Sequence, residues 1–563
     1  MPSKSKYRKE QYPFVIPDLK DWPIVQLTRD KEAFIEKLVA FTKARISSMT
    51  GDQLSEEIER TMYLETKRMK EDPWRIDPTS DKKFWKKVRK DLLRRPLDKD
   101  EKTSQRSDEQ ILEDIIRLYA TEIAGNFNIK TYWFARRFLT NAFTRLLNAA
   151  SAKDFFKIWG MRHRLQERIQ AVGEIEHVRA LVEKGTVVLV PTHFSNLDSI
   201  LIGLTMDFVG LPAFSYGAGL NLFNSGFVSY FMNRLGAYRI DRRKKSPIYI
   251  ETLKGYSSLS IERGVNSLFF PGGTRSRSGQ IEKRLKMGLL GTAVEAQRRN
   301  YESGSDKKIY IVPLVLDYHF VLEAKSLMEQ YLKKTGKEQY YSKDEFRNPF
   351  KVFQFIWKFF RQSSEIVVSF GKPFDILGNF VDEEGKSFDK HNNLINTKDY
   401  FVDHTGQINQ DLQREAEYTK IVSERIVERL YKENVVLTSH VLAFTAFKYL
   451  EHENEGLDIF NLLRISYKSV IFEKERFHQL LAQVQKTILE FGETGELKVS
   501  DNVSGDLDNL IKNGLSNLGI LHDQKPLFYN KKKGYYRTHS LRLLLYYHNH
   551  LLGYGIEKRV DWQ

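Results

Sequence analysis

The stretch Gly185-Thr186-Val187-Val188-Leu189-Val190-Pro191-Thr192-His193-Phe194-Ser195-Asn196-Leu197-Asp198 is where the chain changes character. Its first part is short, β-branched and unbroken, which reads as a buried parallel strand. His193 follows that strand directly. Ser195 to Asp198 then reads as an N-cap and first turn before the apolar run Ile200-Leu201-Ile202. A strand-to-helix turn places His193 at the carboxyl end of a strand, where open α/β sheets bind ligands. Asp198, in the first helical turn, can point back at the imidazole, fix its tautomer and stabilise the imidazolium. Taken alone, the same pair also reads as a helix cap beside an ordinary loop histidine.

Similar runs recur at Ser267-Leu268-Phe269-Phe270, at Ile309 to Val315 and at Ile366 to Phe370. Helical periodicity lies between them, as over Met287 to Arg298. Alternating strands and helices predict an α/β domain over 171–380. Before it, residues 1–170 read as a helical region. Asp30 to Val39 has helical spacing, and Ser107-Asp108-Glu109-Gln110 is a capped start for a second helix. Leu97 to Ser107 reads as a loop. After the α/β domain, 381–410 is polar and rich in Asp and Asn, and reads as a linker. Residues 411–563 read as a C-terminal helical domain.

The 563 residues are too many for one compact core. The formal net charge of +16 favours an anionic partner: membrane headgroups, phosphorylated ligands or nucleic acid. No nucleic-acid-binding module is visible and the Lys and Arg are spread along the chain, so nucleic acid is not expected. With no cysteine there is no disulfide, thiolate metal site or Cys nucleophile. Met1 to Lys6 leads into polar sequence without an apolar core, so no secretory signal is expected. Ser199 to Phe223 is the longest weakly polar stretch, but Asp207, Gly210, Pro212, Gly217 and Gly219 interrupt it. It reads as buried rather than transmembrane.

A second motif, Phe270-Pro271-Gly272-Gly273-Thr274-Arg275-Ser276-Arg277-Ser278-Gly279, ends the next strand in a glycine turn. Glycines let backbone approach a ligand, and Arg275 and Arg277 offer charge-assisted donors suited to phosphate. The plainer reading is a surface turn with solvated arginines. Between the two motifs, Gly236 to Lys245 carries Arg239 and Arg242 in a basic cluster able to hold a phosphate. Ile311-Val312-Pro313-Leu314 ends a further strand at the same rim.

In order and spacing, these four blocks resemble the glycerolipid acyltransferases that use a His-x-x-x-x-Asp motif. Gly217 to Leu222, Arg275 to Gly279, Lys286-Met287-Gly288, and Pro313-Leu314 with Tyr318 and Glu323 are similar to the branch acting on glycerol 3-phosphate and dihydroxyacetone phosphate. So is Leu545-Tyr546-Tyr547-His548-Asn549-His550-Leu551. The resemblance is carried by 185–375, less by 410–555, and not before 150. It implies an α/β acyltransferase fold with His193 and Asp198 catalytic. Arg239, Arg242, Arg275 and Arg277 would hold the acceptor phosphate, with Gly272, Gly273, Thr274, Ser276 and Pro313 shaping the site. It also implies acyl-CoA or acyl-carrier protein as co-substrate, no cofactor, no metal, and attack by the sn-1 hydroxyl of glycerol 3-phosphate without an acyl-enzyme.

Two positions depart from the family pattern. Gly272 stands where a Glu is usual, and Asp241 replaces an arginine typical of the glycerol-3-phosphate branch, while Ile240-Asp241-Arg242 is common in the lysophosphatidate branch. Dihydroxyacetone phosphate or lysophosphatidate therefore stay open as acceptors, as does a non-catalytic membrane-binding homologue. Tyr132 to Leu139 and Phe350 to Arg361 are aromatic and basic, and read either as helices for an anionic membrane surface or as packed helices. Ile200 to Phe223 is a candidate wall for the acyl chain. The expected location is peripheral, on the cytoplasmic face of a membrane.

Overall fold

The computed structural model describes residues 12–46, 51–93, 107–137, 169–220, 226–335, 365–520 and 522–563. Among these residues, the centre of the molecule is a mixed sheet of eleven strands. In chain order these are β1 (Ile169–Gly173), β2 (Thr186–Pro191), β3 (Ser215–Gly219), β4 (Ala237–Ile240), β5 (Ser267–Leu268) and β6 (Ile309–Tyr318). There follow β7 (Ile366–Phe370), β8 (Phe374–Asp375), β9 (Phe380–Val381), β10 (Ser387–Phe388) and β11 (Leu394–Ile395).

The parallel part runs β4-β3-β5-β2-β6. Beyond β6 the sheet turns antiparallel: β7 and β8 both pair with it, and β1 lies parallel to β7. β2 and β6 are buried along their whole length, as two-sided strands must be. The run Ser267 to Phe270 forms a strand only over its first two residues, because the chain then leaves the sheet to build a loop.

The segment 381–410 differs from the linker expected of it. β9, β10 and β11 continue the sheet through it as tight hairpins. The polar residues that suggested a linker are the turns. Gly385 N–H donates to Asp382 O at 3.0 Å, and Asn392, at φ 65°, donates to Asp389 O at 3.0 Å. Asp, Asn and Gly supply such turns through side-chain bonding and tolerance of positive φ. Two-residue strands leave too little pattern for the sequence to show them.

The N-terminal helices pack on the β4 edge. Leu38, Ile115, Ile116 and Tyr119 share a core with Tyr238, Tyr249, Tyr256 and Leu259, the last three from the helix Pro247–Glu262. The predicted cap is present: Ser107 and Gln110 form a reciprocal box at the start of Asp108–Ile123. The C-terminal helices share the main core with the sheet, through residues such as Val441, Phe444, Leu544 and Leu545. Among the described residues, no helix is long and apolar enough to cross a membrane. The expected loop from Leu97 as far as Arg106, and Phe350 to Arg361, lie outside the described residues.

Candidate active site

Register brings the two motifs together. Leu189 of β2 pairs in parallel with Leu268 of β5. His193 and Gly272 each lie the same number of residues beyond those partners, so both loops leave the same carboxyl edge. The ring of Phe270 then stacks on the His193 imidazole, centroids 3.9 Å apart. Ser276 N–H donates to His193 O at 2.7 Å, tying the glycine loop to the histidine.

His193 Nδ1 lies 2.8 Å from Asp198 Oδ2. An ionised Asp198 fixes the proton on Nδ1 and leaves the Nε2 lone pair as a base. Asp198 is fully buried at the start of the helix Asp198–Phe208. Its Oδ2 also accepts from Phe194 N–H at 2.7 Å and Ser195 N–H at 2.9 Å, and its Oδ1 accepts from the Tyr318 hydroxyl at 2.7 Å. Both oxygens are therefore committed, and the carboxylate cannot turn away from the ring. Burial and the Asp198 charge push the Tyr318 phenol far above its ordinary value, so it stays a donor.

The expected Ser195 cap is only half realised. Ser195 N–H does meet Asp198, but the Ser195 hydroxyl donates instead to Glu323 Oε2 at 2.8 Å. Glu323, fully buried after β6, also accepts from Asn196 N–H at 3.0 Å and from Arg275 at 3.0 Å. Burial raises its pKa, and Arg275 with the two Ser195–Asn196 donors opposes that rise. One carboxylate thus bridges the histidine loop and the glycine loop. Sequence reading placed Tyr318 and Glu323 in a shared block without giving either a task. Neither spacing nor charge pattern signals a contact across more than a hundred residues.

The four arginines do not form one group. Arg275 reaches Glu323. Arg242 is exposed, and partial desolvation followed by the positive charges of Arg275 and Arg277 lowers its pKa. These three therefore gather at one mouth. Among the described residues, Arg242 and Arg277 have no carboxylate partner. Arg239 instead lines a cavity with Arg68, Asp81, Glu122, Lys244 and Tyr249, against the N-terminal helices. Burial lowers its pKa while Glu122 raises it. Residues leaving a strand point alternately to its two faces, which separates Arg239 from Arg242.

Gly273 adopts φ +72° and Gly279 φ +84°, conformations open to glycine. A Cβ at Gly279 would meet Tyr546 O at 2.2 Å, and Asn549 donates to Ser278 O at 2.8 Å. The C-terminal region thereby braces the glycine loop. Ser276 Oγ closes the turn onto Gln280 O at 2.8 Å, and Thr274 lies half-buried between the two. Pro313 is buried within β6, in register with Val190, and its carbonyl accepts from Gly371 at 2.9 Å. It belongs to the sheet beneath the site.

The site therefore holds a His193–Asp198 pair at the carboxyl edge of a parallel sheet, facing Arg242 and Arg277, which have no carboxylate partner among the described residues. Residues 165–317 match the family model described as Acyltransferase. It is similar to the glycerol-3-phosphate acyltransferase of Pseudoalteromonas atlantica, 25% identical over 306 residues, covering 54% of this chain and 33% of that protein. The enzymes of that name from Pseudomonas aeruginosa (25% over 298 residues, 52% and 32%) and Aeromonas hydrophila (27% over 277 residues, 48% and 30%) are likewise similar. The chain spans about a third of the length of these curated relatives.

Proposed function

We propose that the protein transfers a fatty acyl group from an acyl thioester to the sn-1 hydroxyl of glycerol 3-phosphate, giving lysophosphatidate. The observation that carries this reading is the His193–Asp198 pair at 2.8 Å beside Arg242, Arg275 and Arg277. The printed names of the similar proteins support the choice of acceptor.

In this mechanism His193 Nε2 takes the proton from the acceptor hydroxyl as its oxygen attacks the thioester carbonyl. Asp198 stabilises the imidazolium that forms. Collapse of the tetrahedral intermediate breaks the carbon–sulfur bond, and the imidazolium returns its proton to the departing thiolate. No side chain is acylated. Arg242, Arg275 and Arg277 hold the acceptor phosphate, Arg275 through the bridge that also fixes the histidine loop. Arg239 is left out of this role because its surroundings are the acids of the N-terminal region.

The donor is acyl-CoA or acyl-carrier protein, and the reaction takes place at an anionic membrane surface on its cytoplasmic face. Support for the surface comes from residues 132–137. Tyr132 and Arg136 face inward and bond to Asp207, while Trp133 and Phe134 stay 46% and 56% exposed. A helix anchored by its polar side and showing aromatic rings outward suits an interface.

Thioester consumption by purified protein, with palmitoyl-CoA or palmitoyl-carrier protein, tests this reading against glycerol 3-phosphate, dihydroxyacetone phosphate and lysophosphatidate in parallel. The expected result is turnover with glycerol 3-phosphate that falls about 10²- to 10⁴-fold in His193→Ala. Normal turnover in that variant defeats the mechanism. Turnover with another acceptor alone moves the protein to a sister activity.

A further inference from the structure

Gly272 is the position where a family carboxylate is absent, and the structure fills that space from elsewhere. The segment that follows it folds back on itself: Lys286 N–H donates to Pro271 O at 2.8 Å, closing the loop from 271 to 286. The closure lays two side chains of the returning arm over the two glycines. A Cβ on Gly272 would stand 2.5 Å from Glu282 Oε1 and 2.7 Å from its Cδ. A Cβ on Gly273 would stand 2.7 Å from Lys286 Cδ. A side chain at 272 and the carboxyl of Glu282 therefore compete for one place.

Among the described residues Glu282 makes no hydrogen bond and no ion pair, and Lys286 acts on it only through space. Burial pushes its pKa up to about 7. Close by, the Tyr431 hydroxyl is buried without a hydrogen-bond partner among the described residues, and burial with the Glu282 charge raises its pKa. A half-buried carboxyl and a buried phenol left unsatisfied together are costly, and native structures keep such groups where a ligand completes them. The loop carrying Glu282 is the one whose Phe270 stacks on His193 and whose Arg275 and Arg277 face Arg242.

We propose that Glu282 is the acceptor-binding carboxylate of this site, folded over Gly272 to take hydrogen bonds from the acceptor's glycerol hydroxyl groups. This rests on the acyl-transfer reading above. The division of labour follows from charge. A carboxylate repels a phosphate and accepts from hydroxyls, whereas guanidinium groups do the reverse. Glu282 therefore reads the polyol end of the acceptor and the arginines its phosphate end.

The test is calorimetric binding of glycerol 3-phosphate and of inorganic phosphate, together with turnover, for wild type, Glu282→Ala, Glu282→Gln, Gly272→Glu and the double variant Gly272→Glu/Glu282→Ala. Loss of hydrogen bonds to a charged acceptor is expected to weaken glycerol 3-phosphate binding about 10- to 100-fold in Glu282→Ala, with inorganic phosphate unchanged. Gly272→Glu alone is expected to bind poorly, because two side chains meet in one space. The double variant is expected to recover most of the affinity. Glu282→Gln, which keeps the shape, guards against a folding defect and is expected to fall between Ala and wild type. Unchanged glycerol 3-phosphate affinity in Glu282→Ala, or equal weakening of both ligands, overturns the proposal, as does a wild type that binds no glycerol 3-phosphate. Binding that depends on Glu282 without turnover supports the proposal and defeats the acyl-transfer reading instead.

Discussion

Arg243 donates to both oxygens of Asp241, at 2.9 and 2.8 Å, and to Asp77 Oδ1 at 2.6 Å, and lies 4.0 Å over the Trp74 ring. Arg242, the residue before it, has no acid partner among the described residues and faces two more arginines. Desolvation works against the charge of Arg243, but its two carboxylates overcome it and raise its pKa, while Arg242 is pushed the other way. Lys244 repeats the first pattern, pairing with Glu122 and lying 4.7 Å from the Tyr119 ring. One short basic run thus does two jobs. Residues turned toward the N-terminal helices are staples whose charge is satisfied inside the protein. The one turned toward the glycine loop is left unsatisfied, and an unsatisfied cluster of like charge suits an anionic ligand.

The largest effect expected from this contrast is on stability. Arg243→Ala strips Asp241 and Asp77 of their main partner in a site where the arginine side chain is 9% exposed. Breaking a buried pair from one side costs about 3–5 kcal/mol. Urea unfolding is expected to show that loss, with the acceptor KM unchanged in protein that remains folded. A variant as stable as wild type breaks the comparison at its first term.

Arg242→Ala is the mirror experiment. Removing a charge that repels Arg275 and Arg277 is expected to leave the melting temperature equal or higher. The acceptor KM is expected to rise about 10- to 100-fold, the cost of a lost charge-assisted contact. A stability loss without a KM change would show that Arg242 is another staple.

This contrast also marks where the sequence stops being legible. The strand Thr186–Pro191, the helix start at Ser107 and the adjacency of the two motifs follow from local rules, because β-branched runs, capping residues and glycine turns act on their neighbours. The fates of Arg239, Arg242 and Arg243 do not. They depend on which acids of residues 65–122 dock against β4, and charge at that separation carries no pattern. The hairpins β9 to β11 were hidden for a different reason: each strand is two residues long, and its turn residues are those of a linker. Glu282 is the extreme case. It lies in a charged run, Glu282-Lys283-Arg284, that reads as solvent-facing, and only the closure of the loop from Pro271 to Lys286 gives it a place.

Glu282 can be assigned to one side of the comparison by its pH dependence, the smallest of the expected effects. Its ordinary value is near 4.5, and burial lifts it to about 7 in the folded protein. Between those values the folded state holds a proton that the unfolded state has released, so folding stability falls as pH rises through that window and is level above it. Such a shift corresponds to about 3 kcal/mol at full strength, and partial exposure reduces it to about 1–2 kcal/mol. Among the described residues, the charged and titratable groups facing it are Lys286 on its own loop and Tyr431 on the helix Leu412–Glu433, whose phenol burial holds above its ordinary value. Glutamine never ionises. Glu282→Gln is therefore expected to melt with wild type near pH 4.5 and a few degrees above it at pH 8. That gain would mark a group kept at a cost to the fold, as a ligand-binding carboxylate is. A variant that melts lower than wild type at every pH would instead place Glu282 beside Arg243, as a strut of the loop.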